Sequence, residues 1–172
     1  GDQGDKGIFR VTLNNSKDPK IEKIPAEISG AQGLLWLKGI LYAGINKGIP
    51  GNGMFCIHDS DGDDQFDKVE LMRQVDAKSE HGNHAVVASP DGNSLFFVAG
   101  NNSPTPTPET SAVPLNYGED QFLPILVDPR GHARTFKAPG GWIAQTDLSG
   151  KTYRLFSAGF RNQYDAAFNA HG

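Results

Sequence analysis

The side chains best suited to chemistry fall in two short phrases, Glu80-His81-Gly82-Asn83-His84 and Arg161-Asn162-Gln163-Tyr164-Asp165. Imidazole takes and gives protons near neutral pH. Guanidinium donates in a fork that suits carboxylates and quinone oxygens. With Gln32 and a carboxylate from Glu80 or Asp165, the set of His81, His84, Arg161 and Asn162 suits an anionic or oxygen-rich ligand. The competing reading is that these polar groups hold loops together by bonding neighbouring backbone. His81 and His84 make a poor metal pair, because a spacing of three on extended chain does not set both rings on one face. His58, His132 and His171 show no partner pattern and read as surface or turn residues.

A second constellation is acidic. Asp59, Asp61, Asp63, Asp64, Asp67 and Glu70 place six of the chain's 20 carboxylates within twelve residues. Carboxylates at positions 1, 3, 5 and 9 of a tight loop, here Asp59, Asp61, Asp63 and Asp67, converge as a hard cation requires. Gln65 at position 7 adds a backbone carbonyl. The expected ion is Ca²⁺, and the expected role is structural. Asp64 stands where an EF-hand loop needs glycine, and the loop lies between two expected strands, so the pattern is that of a calcium hairpin. The alternative is a solvated acidic turn. Glu70 has the spacing of a twelfth-position ligand but falls in the next strand, pointing away.

The elements that must carry these residues repeat, and a repeat decides the fold. A glycine followed by a short apolar strand occurs at Gly7-Ile8-Phe9-Arg10-Val11, Gly53-Met54-Phe55-Cys56-Ile57 and Gly141-Trp142-Ile143-Ala144-Gln145. A polar turn and a second strand follow each, at residues 20–24, 68–72 and 152–156. A polar approach loop then enters a small-apolar strand: 30–33 into 34–37, 80–84 into 85–88, and 161–165 into 166–168. Two copies close a hairpin, through Lys38-Gly39 into residues 40–44 and through Pro90-Asp91-Gly92-Asn93 into residues 95–100. Such Gly turns between apolar runs are strong hairpin signals. The spacing is 46 residues from Gly7 to Gly53 and 88 from Gly53 to Gly141. Removing the 39 residues 101–139 brings the second spacing to 49. A four-stranded unit every 40–50 residues is the pattern of a β-propeller blade. A β-sandwich is the alternative, and it would not require the repeat. In a propeller, the approach loops lie near the central axis, so Gln32, His81 with His84, and Arg161 with Asn162 are expected to converge.

Composition agrees. The 21 glycines and 11 prolines in 172 residues favour short strands and turns over helices. Seven of the prolines fall in the 101–139 insertion, with Pro104, Pro106 and Pro108 in alternation, and its later part from Asp120 to Val127 is apolar enough to pack. Long loops of this kind are functional lids or surface excursions. The net charge of −4 and scattered Lys and Arg give no footprint for nucleic acid. The longest mostly apolar run, residues 33–45, is too short to span a bilayer. Cys56 is the single cysteine, so no internal disulfide framework exists, and its apolar flanks mark a small buried residue. The chain opens in polar, Gly-rich sequence and ends at Asn169-Ala170-His171-Gly172 as if halfway through a hairpin, so a fragment of a longer protein is expected.

Residues 80–92, with a histidine before an apolar strand and a Pro-Asp-Gly turn, resemble the segment that carries the catalytic histidine in the soluble quinoprotein glucose/sorbosone dehydrogenase family. Residues 159–168 resemble that family's Arg-Asn segment, which contacts pyrroloquinoline quinone (PQQ). The resemblance implies that His81 is the base for the substrate hydroxyl proton, with hydride passing to the quinone, and that Arg161, Asn162 and His84 lie at the cofactor. His84 stands where the family has glycine, and Tyr164-Asp165 replaces Gln-Gly. A closer likeness covers nearly the whole chain. Residues 30–34, 59–67, 80–84, 116–121, 138–144 and 161–168 are similar to the membrane-bound dehydrogenase propellers of Planctomycetes and Verrucomicrobia, which are commonly fused to c-type haem domains. No Cys-x-x-Cys-His motif occurs here, so this likeness implies a haem domain elsewhere in the parent chain.

The expectation is therefore an all-β chain. Residues 1–172 form about three blades of one six-bladed-type β-propeller, with the Pro-rich insertion at 101–139. The parent protein is expected to be periplasmic or secreted. It is expected to oxidise a sugar or alcohol with PQQ and to bind Ca²⁺, with no transmembrane segment in this chain. The competing class is a non-catalytic, calcium-stabilised propeller that binds a glycan or a protein partner.

Overall fold

The computed structural model describes residues 4–13, 18–77, 79–115 and 139–172. The described chain is all-β. Its strands are β1 (Phe9–Thr12), β2 (Lys20–Lys23), β3 (Ala31–Leu37), β4 (Ile40–Ile45), β5 (Gly53–His58), β6 (Lys68–Gln74), β7 (Asn83–Ala88), β8 (Ser94–Ala99), β9 (Thr110–Ser111), β10 (Gly141–Asp147) and β11 (Arg154–Phe160). They form three open sheets, ordered β1-β2, β3-β4-β5-β6 and β7-β8-β10-β11-β9. All pairs are antiparallel except β11 with β9.

Each larger sheet is a meander that begins at an approach loop. The sheet unit is thus shifted against the sequence phrase, which begins at the glycine-led strand. The β3–β4 hairpin is closed by Lys38 at φ 50° and Gly39 at φ 82°, the doubly positive pair that matches strand twist. In the five-stranded sheet the insertion separates β8 from β10, yet these two pair in continuous register from Trp142↔Ala99 to Asp147↔Ser94. The insertion therefore leaves the meander intact and adds β9 at its outer edge, where Arg154 pairs with Thr110.

Burial follows a period of two on both faces of the middle sheet. Tyr42, Met54 and Cys56 enter a cluster with Val86, Leu95, Phe97, Trp142, Tyr153 and Leu155 of the five-stranded sheet. The alternate residues Ala43, Ile45, Phe55 and Ile57 pack with Ile8, Ile24, Ala26 and Ile28 on the opposite side. A strand buried on both faces reads as a near-continuous apolar run, as β4 and β5 do. Polar ties reinforce the sheet-to-sheet contact. The Tyr42 hydroxyl donates to the Leu148 carbonyl at 3.2 Å. Arg73 lies 4.6 Å above the Tyr153 ring and donates to the Gly150 carbonyl at 3.0 Å.

Two glycines let the sheets meet where the approach loops begin. A Cβ on Gly44 would collide with the His84 carbonyl oxygen, and one on Gly33 would stand 2.6 Å from the Ala85 Cα. Only glycine allows backbone to pass this close to backbone.

The expected strand at 166–168 does not form. No ladder partner lies beside it among the described residues, and an extended segment becomes a strand only when its backbone groups are paired. Phe168 instead sets its ring edge-on to Phe96 at 5.0 Å.

Candidate functional site

The three approach loops meet. The His84 Nε2–H donates to the Asn162 Oδ1 at 2.7 Å. The Tyr164 ring stacks on the His84 ring at 4.3 Å, and its hydroxyl donates to the Gln32 Oε1 at 3.3 Å. Gln32, His84, Asn162 and Tyr164, from the loops at 30–33, 80–84 and 161–165, are thus joined by side chains.

Each loop is held by a backbone scaffold. Asn83, fully buried at the start of β7, donates through Nδ2 to the carbonyls of Ile45 and Val75, both at 3.0 Å. Asn46 Nδ2 donates to the Ser79 carbonyl at 3.0 Å, fixing the other end of the loop. Gln163 Nε2 donates to the carbonyls of Ala99 and Trp142 at 2.6 and 2.9 Å, which clamps the Arg161 segment onto β8 and β10.

The first residues of the insertion complete the arrangement. The His81 Nδ1–H donates to the Asn101 Oδ1 at 2.9 Å. The Asn101 amide donates to the Arg161 carbonyl at 2.8 Å, and the Asn102 amide to the His81 carbonyl at 3.0 Å. Ser103 Oγ reaches the Asn83 Oδ1, and the Trp142 indole N–H donates to the Ser103 carbonyl. Residues 101–103 are buried. This part of the insertion is therefore structural to the site and is not a surface excursion. Residues 116–138 lie outside the described residues, and with them the phrase at 116–121, the apolar run from Asp120 to Val127, and His132.

Burial sets the electrostatics. His84 is 1% exposed and His81 5%. Burial pushes the His84 pKa down, the bond to Asn162 pulls it up, and His81 nearby lowers it further, with a net fall. His84 is thus a neutral donor at Nε2, and its Nδ1 is buried without a hydrogen-bond partner among the described residues. The side chains of Glu80, Arg161 and Asp165 are exposed.

The acidic loop assembles only in part. Oxygens of Asp59, Asp61 and Asp63 lie within 4.8 Å of one another. The Asp59 carboxylate accepts the amides of Gly62 and Asp64 at 2.7 and 2.9 Å. Partial burial works to raise the Asp59 pKa, and these amide donors outweigh it, so the net shift is downward. Asp67 stays outside the trio and accepts the Ser60 amide and hydroxyl, which closes the loop and lowers its own pKa. The Gln65 amide donates to Asp63 at 2.8 Å, and Asp64 pairs with Arg10 at 2.9 Å. Backbone N–H groups thus carry much of the charge balance that a cation would supply.

Asn83, Asn101 and Gln163 are the site residues that sequence reasoning did not single out. The available signal was amides at strand ends, with Asn83 as the first residue of β7 and Asn101-Asn102 just after β8. His58, expected as a surface or turn residue, caps β5 and faces Cys56 and Glu70.

No protein-family model, curated protein or solved structure matches the chain. Among the described residues no helix is long and apolar enough to cross a membrane.

Proposed function

We propose that the chain is the blade-bearing part of a β-propeller in an exported, quinone-dependent sugar or alcohol dehydrogenase-like protein, with a c-type haem domain elsewhere in the parent. The observation that carries this reading is the meeting of the three approach loops through Gln32, Tyr164, His84 and Asn162, with His81 held by Asn101 of the insertion. Repeat symmetry brings such loops to one end of a propeller.

The donor set fits PQQ in part. Arg161 is exposed and of the right chemistry for a carboxylate-bearing, oxygen-rich ligand, and the Asn162 amide nitrogen is a second donor. His84 does not face such a ligand; it is buried and holds Asn162 by its oxygen. In this reading His84 is a positioning residue. When bound, the quinone supplies the hydride acceptor. His81 would supply the base that takes the substrate hydroxyl proton, its ring held by the Nδ1–H bond to Asn101. A Ca²⁺ ion would sit on Asp59, Asp61 and Asp63, with Asp67 and Gln65 shaping the loop around it.

The near-complete burial of His81 favours a second reading, a calcium-stabilised propeller that binds a glycan or protein without turnover. One titration separates them. The parent protein is titrated with PQQ and with Ca²⁺, alongside His81→Ala and Arg161→Ala. The dehydrogenase reading expects saturable quinone binding, at least about tenfold weaker in Arg161→Ala since a charged hydrogen bond is worth roughly 1.5–3 kcal/mol. It also expects loss of turnover in a folded His81→Ala. A folded parent that does not bind quinone leaves the binding propeller.

A further inference from the structure

Cys56 and His58 sit two apart on β5, so their side chains leave the same face. Glu70 of β6 stands directly across from Cys56 in the ladder. The Cys56 Sγ lies 3.2 Å from the His58 Nε2, and the Glu70 Oε2 lies 3.1 Å from that same nitrogen. All three atoms fall within 4.8 Å of one another.

This geometry is wrong for a nucleophile. In a Cys-His-carboxylate relay the thiol meets one ring nitrogen and the carboxylate orients the other. Here both crowd Nε2. A proton on Nε2 serves Glu70 and leaves the thiol facing an N–H; without that proton, the carboxylate faces a lone pair. A single Nε2–H can at best be shared between the carboxylate and a sulfur that accepts only weakly, with the thiol hydrogen left to the Glu70 carbonyl at 3.9 Å. A cation at the common focus engages all three groups directly. Ligands about 2.0–2.3 Å from a tetrahedral metal stand about 3.3–3.8 Å apart, so the observed gaps need open by only a few tenths of an ångström.

The surroundings agree with the ligand count. Glu70 Oε1 is held by Lys68 Nζ at 2.6 Å, which turns Oε2 alone toward the focus. Cys56 is 8% exposed while His58 and Glu70 remain accessible at the sheet surface. The sulfur thus lies in the apolar interior and the fourth position opens to solvent. Thiolate, imidazole and carboxylate together suit a borderline-soft divalent ion.

We propose that Cys56, His58 and Glu70 form a three-ligand site for Zn²⁺ or a similar transition metal on the β5–β6 ribbon, with its fourth position open. This site is separate from the acidic loop and independent of the quinone reading.

The test uses Co²⁺ as the optical probe and Zn²⁺ as its competitor. The protein is titrated with Co²⁺ alone, in wild type, Cys56→Ser, His58→Gln, Glu70→Gln and Asp61→Asn. The expected result is one equivalent bound with a thiolate-to-cobalt charge-transfer band, displaced by Zn²⁺. Cys56→Ser removes the band. His58→Gln and Glu70→Gln each weaken binding by more than about tenfold, because losing a direct ligand exceeds what outer-shell partners cost. Asp61→Asn leaves the charge-transfer band unchanged, because an ion taken up by the acidic loop has no thiolate ligand. Glu70→Gln alters an accessible side chain, so it keeps the test valid if Cys56→Ser disturbs the core. Absence of the band in folded wild type overturns the proposal. So does a band unchanged in both His58→Gln and Glu70→Gln, or one lost in Asp61→Asn.

Discussion

Asp147 shows how much one side chain organises at a turn. Its carboxylate accepts the amides of Ser149 and Thr152, both at 2.7 Å, and the Ser149 hydroxyl. Its burial works to raise the pKa, and these donors overwhelm that effect, so the carboxyl is held well below the usual carboxylate range. A depressed folded pKa stabilises the fold above the unfolded value and loses that stability as pH falls. Wild type is therefore expected to lose stability from about pH 4 downward. Asp147→Asn is expected to cost about 1 kcal/mol at pH 7, since charged hydrogen bonds at an exposed turn are partly screened, and the cost should vanish in acid. Urea midpoints of both proteins from pH 7 to 3 check this, and a difference independent of pH would reject it. In the sequence Asp147 is one more residue of the polar turn before 152–156, because its worth lies in how many donors converge on it. The same reason hid Gln163 and Asn83. The histidines and Arg161 were visible because their types are chemically distinctive, whereas a clamp made of amides resembles any polar loop until its carbonyl partners are in place.

At the scale of elements, the repeated glycine-led apolar phrases and the Gly turns made ten of the eleven strands legible. The exception, β9, has two residues and pairs with a distant segment, which no local pattern announces. The missing strand at 166–168 is the converse case, with a strand-like composition and no partner. What the sequence could not convey is why Gly44 and Gly39 differ. Both lie in the β3–β4 hairpin, but Gly39 needs only its positive φ, with open space around it. Gly44 has the His84 backbone where a Cβ would be. Gly39→Ala is expected to cost about 1 kcal/mol, the usual penalty for a left-handed residue. Gly44→Ala is expected to cost about 2–3 kcal/mol, as overpacking does, and to shift β7 with its histidine. Chemical denaturation of the two variants checks the ranking. His84 ring resonances displaced in Gly44→Ala alone would show that this glycine sets the site, and equal costs would remove the distinction.

At the scale of the molecule, the three sheets contact one another in sequence along the chain. The middle sheet packs one face on the five-stranded sheet and the other on the segment holding β1 and β2. Such a stack has nearest-neighbour stability, and its parts need not unfold together. The two interfaces are unequal. The first contains Trp142, Tyr153, Phe97 and Tyr42, with polar ties from Arg73 and Tyr42. The second is built mainly from Ile and Ala, beside a hairpin that leaves Phe9, Val11 and Ile21 exposed. Aromatic side chains bury far more area each, so the first interface is the stronger. Each interface carries its own reporter. Trp142 is fully buried in the first, whereas Trp36 is 57% exposed and lies edge-on to Phe66 on the hairpin side. In Trp142→Phe and Trp36→Phe proteins, one indole remains to report each side. The Trp36 signal is expected to change at lower urea than the Trp142 signal, with amides of β1 and β2 exchanging before those of β4, β5 and β8. Coincident transitions would show a single cooperative unit, in which the hairpin stands or falls with both sheets.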